Sequence, residues 1–257
     1  MDLELKGKVA LVTGASSGIG EAVALNLAKE GVLLSICSRG LKNLKSVYKK
    51  LIQYSETFYS CVDLNFNAEV VDFVDQVVNK FGKIDILVNC AGGDGVIKPI
   101  LELSDEDWIY DFSQNFLGMV RFCRAVIPYM QKNKYGRIVN ISSIAAIQPG
   151  SLYASYSAAK SAVISFTKAA SSTLSQSNIL INSVLPGFVA TNQMVKVEKT
   201  LSEIKELTRS EIHESFKNLT TLKRYATPQE VADLITFISS NKSTYITGAS
   251  YIIDGGN

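Results

Sequence analysis

Thr13-Gly14-Ala15-Ser16-Ser17-Gly18-Ile19-Gly20 follows without a break on the apolar run Val9-Ala10-Leu11-Val12. A β-rich stretch thus runs into a turn with three glycines, and a segment of helical periodicity opens after it. Glycines there permit a tight turn, let the backbone approach a pyrophosphate, and allow a helix to pack closely on a strand. The helix start adds free N–H groups and the positive end of a dipole. Gly14, Ser16, Ser17, Gly18, Ile19 and Gly20 are therefore candidates for a phosphate cradle. A glycine-rich turn alone says little; the strand before it and the helix after it make the signal specific.

Outward from this turn, short β-rich runs alternate with stretches of 3.6 periodicity, which is the pattern of a parallel sheet covered on both faces by helices. Seven strands are expected: Val9 to Thr13, Leu33 to Cys37, Thr57 to Val62, Ile84 to Asn89, Arg137 to Ser142, Ile179 to Leu185 and Ser250 to Ile253. Helices are expected near residues 19 to 30, 41 to 53, 67 to 80, 104 to 132, 152 to 176 and 228 to 239. No Pro/Gly/Ser-rich linker divides the chain, so residues 1–257 read as one α/β domain. Residues 192 to 223 interrupt the alternation with an amphipathic stretch in which Val195, Leu201, Ile204, Leu207, Ile212, Phe216 and Leu219 recur at roughly helical spacing. A surface hairpin with no role would have the same pattern. Its place after the sixth strand favours a helical lid, because ligands bind outside the carboxyl ends of parallel strands.

Composition narrows the partners. With 47% hydrophobic and 19% charged residues in 257, the chain is globular and long enough to be stable without disulfides or a structural metal. Cys37, Cys61, Cys90 and Cys123 stand far apart, and His213 is the only histidine, so a zinc site lacks ligands and no metal is expected. A net charge of +2 on scattered lysines and arginines gives no nucleic-acid stripe or membrane patch. No apolar run approaches the ~18 residues of a membrane helix. With no export signal and unpaired cysteines, a cytoplasmic protein acting on a small molecule is expected.

The end of the second strand speaks to the nucleotide. Ile36-Cys37-Ser38-Arg39 has no acid to accept ribose hydroxyls, and none occurs between Glu30 and Glu56. Ser38 and Arg39 instead suit a 2′-phosphate, which a planar guanidinium matches with a fork of donors, so NADP(H) is expected over NAD(H). Asp63, followed by Leu64, closes the third strand, where a carboxylate could take adenine's amino group or simply form a turn. Asn89, Ala91 and Gly92 close the fourth, with Asn89 suited to tying strands together.

Together with Ser143 thirteen residues before Tyr156 and Lys160 one turn beyond it, these features resemble the short-chain dehydrogenase/reductase family over essentially the whole chain. The resemblance rests on the T-G-x-x-x-G-x-G turn, on Asn89-Cys90-Ala91-Gly92 with Cys90 in place of the usual Asn, on Asn115, Pro186, Gly187 and Thr191, and on the ending Ile246-Thr247-Gly248 to Asp254-Gly255-Gly256. It implies a Rossmann-like, doubly wound parallel sheet, a nicotinamide cofactor, and tetramers formed through the helix 152–176 and the long helix before it. Ala158, Ala162, Ser165 and Ala169 along one side would allow close helix approach there; internal packing would explain them equally.

Tyr-x-x-x-Lys is weak by itself, since 11 tyrosines and abundant lysine give roughly one such pair by chance. Here Tyr156 and Lys160 are i and i+4 on an expected helix and share a face. The reaction implied is reversible hydride transfer between a nicotinamide and a carbonyl or alcohol carbon, with Tyr156 handling the oxygen-bound proton. A free phenol has a pKa of about 10, so an adjacent ammonium, Lys160, is expected to favour the phenolate. The resemblance further gives Lys160 a bond to the nicotinamide ribose, Ser143 an oxyanion-type contact, Asn115 a proton-relaying water, and Thr191 and the backbone of Val189 the carboxamide. Tyr153 reads as pocket wall, and His213 as a solvated lid residue. Ile144, Ile147, Leu152, Phe188 and Met194 suggest an apolar substrate pocket, with Asp94 one polar contact. The chain is similar to 3-oxoacyl carrier-protein reductases, although Ser17 and Ser177 stand where those enzymes often carry Arg. A sugar or polyol dehydrogenase of the same family is the alternative. A non-catalytic NADP-sensing protein, of a different class, would have no need of an intact Ser143, Tyr156 and Lys160 set.

Overall fold

The computed structural model describes residues 1–257. In chain order its elements are β1 (Val9–Thr13), α1 (Gly18–Lys29), β2 (Leu33–Ser38), α2 (Leu41–Leu51), β3 (Thr57–Cys61), α3 (Asn67–Phe81), β4 (Ile86–Asn89), α4 (Asp105–Phe112), α5 (Gly118–Asn133), β5 (Gly136–Ile141), α6 (Ala154–Leu174), β6 (Ile179–Pro186), α7 (Asn192–Lys205), α8 (Arg209–Leu219), α9 (Pro228–Ile238) and β7 (Ser250–Ile253). The seven strands form one sheet in the order β3-β2-β1-β4-β5-β6-β7, and every pair is parallel. All residues of β1, β4 and β6 are buried, as apolar runs covered on both faces must be. One face packs Val23, Leu27, Leu44, Val47, Val231 and Ile235 of α1, α2 and α9. The other packs Phe73, Val77, Phe122, Val126 and Val163 of α3, α5 and α6. The expected α/β, Rossmann-like doubly wound sheet of seven strands is the observed one.

The expected helix 104–132 is broken. Ser104 caps α4 in a reciprocal box with Asp107, and Ser113–Leu117 then form a π turn in which the Gly118 N–H reaches back five residues to the Ser113 carbonyl. A Cβ on Gly118 would lie 2.2 Å from Leu64 Cδ1, so the chain re-phases where it meets the loop after β3. Apolar periodicity cannot reveal a one-residue widening, and such turns often sit at functional sites. Asn115 lies within this one.

Winding reverses between β1 and β4, and the crevice beyond their carboxyl ends is the binding place such sheets offer. Gly14, at φ 66°, lies so close to the end of β4 that a Cβ would be 2.8 Å from both Ala91 Cα and Ala91 N. Thr13 Oγ1 accepts the Ala91 N–H at 3.0 Å, locking the two strand ends together. Gly14→Ala should therefore cost about 2–4 kcal/mol, combining a left-handed φ with a backbone clash. Urea unfolding measures it; a loss below about 0.5 kcal/mol would mean that the approach is no constraint.

Candidate active site

The glycine turn opens onto the start of α1. Ser17, its N-cap, makes no side-chain cap, which leaves the first-turn N–H groups to a ligand. A Cβ on Gly20 would be 2.5 Å from the Gly14 carbonyl, so the turn closes on itself. Gly18, at φ 60°, faces Thr191, whose Cγ2 would be 3.2 Å from a Cβ there; the start of α7 is thus laid across the cradle. Thr191 caps α7 by accepting the Met194 N–H at 3.2 Å. Ser16 and Ile19 flank the same turn. At the end of β2 the Ser38 hydroxyl is buried without a partner, and exposed Arg39 takes part in no ion pair. An orphan hydroxyl beside an unpaired guanidinium, together with a cradle that any Cβ would fill, fits a phosphate-bearing dinucleotide.

Three expected cofactor residues are engaged elsewhere through their side chains. Asn89 Nδ2 donates to Asn140 Oδ1 at 2.9 Å, tying β4 to β5 inside the sheet. Leu64 packs on Gly118, and its carbonyl accepts from Arg121 at 3.0 Å. Asp63 Oδ1 accepts the Asn65 N–H at 2.9 Å, a turn-forming bond. Asn89 Oδ1 is left buried without a partner, and the Leu64 carbonyl is already taken by Arg121. Pro186 ends β6 and Gly187 follows it, where a Cβ on Gly187 would be 2.8 Å from Asp254 Cα, and Val189 bridges to Ala226.

The reacting groups converge beside this cradle. Lys160 is 5% exposed, and its ammonium donates to the Ile141 carbonyl at 3.0 Å. A Cβ on Gly92 would lie 2.9 Å from Asn115 Oδ1 and 3.5 Å from Lys160 Nζ, so the loop after β4, the π turn and α6 meet at one point. Asn115 Oδ1 accepts the Gly93 N–H at 3.0 Å. Gly95 presses on Tyr156: a Cβ there would be 2.9 Å from the ring's Cγ. Ser143 Oγ accepts the Ala145 N–H at 3.2 Å, which leaves its proton to donate. Two bonds absent from the sequence reading fix its segment to α6, Ser142 Oγ to the Lys160 carbonyl at 2.7 Å and Ser161 Oγ to the Ala146 carbonyl at 2.7 Å. They are serines among many, and nothing local marks them.

Electrostatics correct one expectation. Burial pushes the Tyr156 phenol up to about 12; a Ser143 hydrogen bond lowers it, while Asp111 and Asp94 raise it. Lys160, 5.7 Å from the Tyr156 ring centre, does not offset this burial, and its own pKa is lowered by burial to about 8. The protein alone therefore holds Tyr156 as a neutral acid and not as a phenolate. Cys90, beside Lys160, is pushed up to about 12 by burial and stays a thiol. Tyr153 packs edge-on to Tyr156 at 6.2 Å, with its buried hydroxyl unpartnered.

The stretch after β6 is better anchored than its sparse apolar spacing suggests. Glu198 on α7 is 3% exposed and accepts from His213 Nδ1 at 2.7 Å and Tyr225 Oη at 2.8 Å, with Arg209 Nε at 3.6 Å. His213 is thus a clasp residue joining α8 to α7, not a freely solvated one. Phe188 stacks on Phe216 at 4.5 Å and Tyr225 at 5.9 Å, at the base of these helices. Between α7 and the loop after β4 lies a cavity of about 270 Å³ lined by Asp94, Gly95, Ile97, Lys196, Val197 and Thr200. Gln193 donates to the Gly93 carbonyl at 3.1 Å across the same gap.

Comparison with known proteins agrees with this geometry. The short chain dehydrogenase family profile matches residues 8–202. The 3-oxoacyl-[acyl-carrier-protein] reductase FabG of Thermotoga maritima is 36% identical over 261 residues, covering 99% of each chain. Among solved structures, L-sorbose reductase from Gluconobacter frateurii complexed with NADPH and L-sorbose superposes with a TM-score of 0.93 at 32% identity, over 100% of this chain and 98% of that one. NAD+-bound xylitol dehydrogenase gives 0.93 at 29%, over 98% and 99%. The chain belongs to the short-chain dehydrogenase/reductase family. It is a nicotinamide-dependent oxidoreductase acting on carbonyl or hydroxyl groups of small molecules.

A buried ammonium has a thermodynamic signature. Because folding lowers the pKa of Lys160 from 10.5 to about 8, its charge costs stability fully below pH ~8 and ceases to do so above ~10.5. Lys160→Met should then stabilise the fold by about 1–3 kcal/mol at pH 7, after the lost bond to Ile141 is deducted, and the gain should shrink between pH 8 and 10.5. Denaturant titrations across that range check both sign and slope. A variant less stable than wild type at pH 7 contradicts the burial argument.

Proposed function

We propose that this protein is an NADP(H)-dependent reductase of ketones, with 3-oxoacyl compounds or related ketones as its substrate class. The observation that carries the reading is the meeting of Ser143, Tyr156 and Lys160 at the sheet edge, beside Gly92 and the Thr191-covered cradle. The cofactor when bound supplies or takes a hydride at the substrate carbon. Gly14, Ser16, Ser17, Gly18, Ile19 and Gly20 hold its phosphates, Ser38 and Arg39 the 2′-phosphate, and Asp63, Leu64, Asn89, Ala91 and Gly92 line the adenosine side. Pro186, Gly187, Val189 and Thr191 orient the carboxamide. Ser143 donates to the substrate oxygen as charge grows there, Tyr156 gives that oxygen its proton, and Lys160 with Asn115 returns a proton to Tyr156. A phenol kept neutral at pH 7 suits the reductive direction.

The polar cavity with Asp94, Lys196 and Thr200 at its walls favours a second substrate reading, a polyhydroxylated ketone, and the L-sorbose complex of the structural neighbour is in line with it. Residues 192 to 223 serve as the substrate lid in either case, through Gln193 and Lys196. In α6 Ala158 and Ala162 are partly buried while Ser165 and Ala169 are exposed, and this small-residue row supports homotetramer formation through α6. Four free thiols fit a reducing, cytoplasmic setting.

A panel of 3-oxoacyl thioesters, alicyclic ketones and ketoses, followed by NADPH absorbance, tests the substrate class; turnover of none of them overturns the reading. NADPH should bind more tightly than NADH, and Arg39→Ala should weaken NADPH by about 1.5–3 kcal/mol with little effect on NADH. Wild-type protein that prefers NADH contradicts the assignment. Since Tyr156 titrates from above its ordinary value, ketone reduction should hold up through neutral pH and decline only in alkali, while alcohol oxidation climbs with pH. An oxidation optimum at or below pH 7 would argue against Tyr156 as the titrating group.

A further inference from the structure

Asp111 is a carboxylate with 0% exposure on α4, and no lysine, arginine or histidine pairs with it. Burying an anion is expensive unless hydrogen bonds hold it, so its partners indicate what the charge is kept for. Oδ2 accepts from Ser155 Oγ at 2.6 Å and from the Val96 N–H at 3.1 Å, and Oδ1 faces Asn115 Nδ2 at 3.5 Å. Each partner belongs to a different part of the site. Ser155 directly precedes Tyr156 in the first turn of α6; Val96 directly follows Gly95, which packs on the Tyr156 ring; Asn115 lies in the π turn beside Lys160. One anion therefore ties together the three segments that enclose the phenol.

We propose that Asp111 is a positioning residue that clamps the loop after β4 onto the start of α6 and, through its charge, sets the pH at which Tyr156 releases its proton. The inference rests on the acid–base role given to Tyr156 above. Electrostatics support the geometry: the negative charge of Asp111 raises the pKa of both Tyr156 and Lys160, which keeps the first a donor and the second protonated. The other groups around the phenol are Ser143 after β5, Asp94 on the loop after β4, Tyr153 ahead of α6, Lys160 on α6 and Cys90 at the end of β4. Of these, Asp94 is paired with Lys196 at 3.6 Å and half-exposed, so its field is partly neutralised and screened. Asp111 is the anion that solvent does not reach.

The test is an ultraviolet tyrosinate titration of the protein saturated with NADP+, with the Tyr156→Phe protein subtracted to isolate one step. In Asp111→Asn that step should move to lower pH by about half to one pH unit, the effect of removing one charge in a partly polar interior. Ser155→Ala keeps the charge and removes the hydroxyl dipole that offsets it, so the step should move slightly upward. This second variant leaves α6 intact and decides the matter should Asp111→Asn fail to fold. A purely structural Asp111 predicts lower stability in both variants with the step unmoved, and that result overturns the proposal, as does a downward move in Ser155→Ala. If wild type and Tyr156→Phe give the same titration, so that no Tyr156 step exists, it is the acid–base reading that falls. If the step is present and Asp111→Asn leaves it in place, only the role of Asp111 falls.

Discussion

The contact between Gly14 and Ala91 is the constraint from which the rest of the site follows. Where the sheet reverses its winding, β1 and β4 must end side by side, and their onward chains must part to opposite faces. That parting makes the crevice. It is held to backbone contact by a glycine whose Cβ would overlap Ala91 and by the Thr13 hydroxyl bonded to the Ala91 N–H. Any looser joint would move the glycine turn relative to Gly92, and Gly92 is where Lys160 and Asn115 meet.

From that joint outward, hydrogen bonds between distant segments do the positioning. Ser142 and Ser161 fasten the Ser143 segment to α6, Asn89 and Asn140 fasten β4 to β5, and Asn140 Nδ2 reaches on to Thr167 in α6 at 3.0 Å. These are buried, directional polar contacts that are costly to break, so they fix geometry more tightly than apolar packing can. Tyr156 and Lys160 stand on one helix, and Ser143 lies two residues past β5, where its Oγ caps a short turn through the Ala145 N–H. Beyond them the chain changes character. Glu198 clasps His213 and Tyr225, and Lys196 meets Asp94 at a half-exposed gap. Rigidity thus grades into an adjustable wall on the substrate side.

Much of this was legible in the sequence, and for identifiable reasons. β1 and its glycine turn are contiguous, and so are Tyr156 and Lys160, so local periodicity and spacing carry them. The inner strands β1, β4, β5 and β6 are legible because buried parallel strands are continuous apolar runs bounded by turns, whereas the edge strands β3 and β7, only partly buried, show through β-branched and aromatic residues. Three things were hidden. The π turn at Ser113–Leu117 inserts a single residue into a helical register, which apolar spacing cannot resolve. Asp111, Ser142, Ser155 and Ser161 are polar residues on helices or strand ends whose partners lie far away in sequence, so each looks like a surface residue until the chain folds. His213 is hidden for the opposite reason, since it stands among the exposed, amphipathic residues of α8 yet is drawn onto α7 by Glu198 and against Tyr225.

The central claim is that the protein presents Tyr156 as a neutral acid to a substrate held beside the cofactor. Replacing Tyr156 by Phe keeps the ring against Gly95 and removes only the transferable proton. NADPH affinity, read by fluorescence, and single-turnover ketone reduction, read by loss of NADPH absorbance, separate binding from chemistry. Unchanged NADPH affinity with reduction slowed at least ~100-fold is the result this account predicts. Reduction at near wild-type speed by the Tyr156→Phe protein would contradict it.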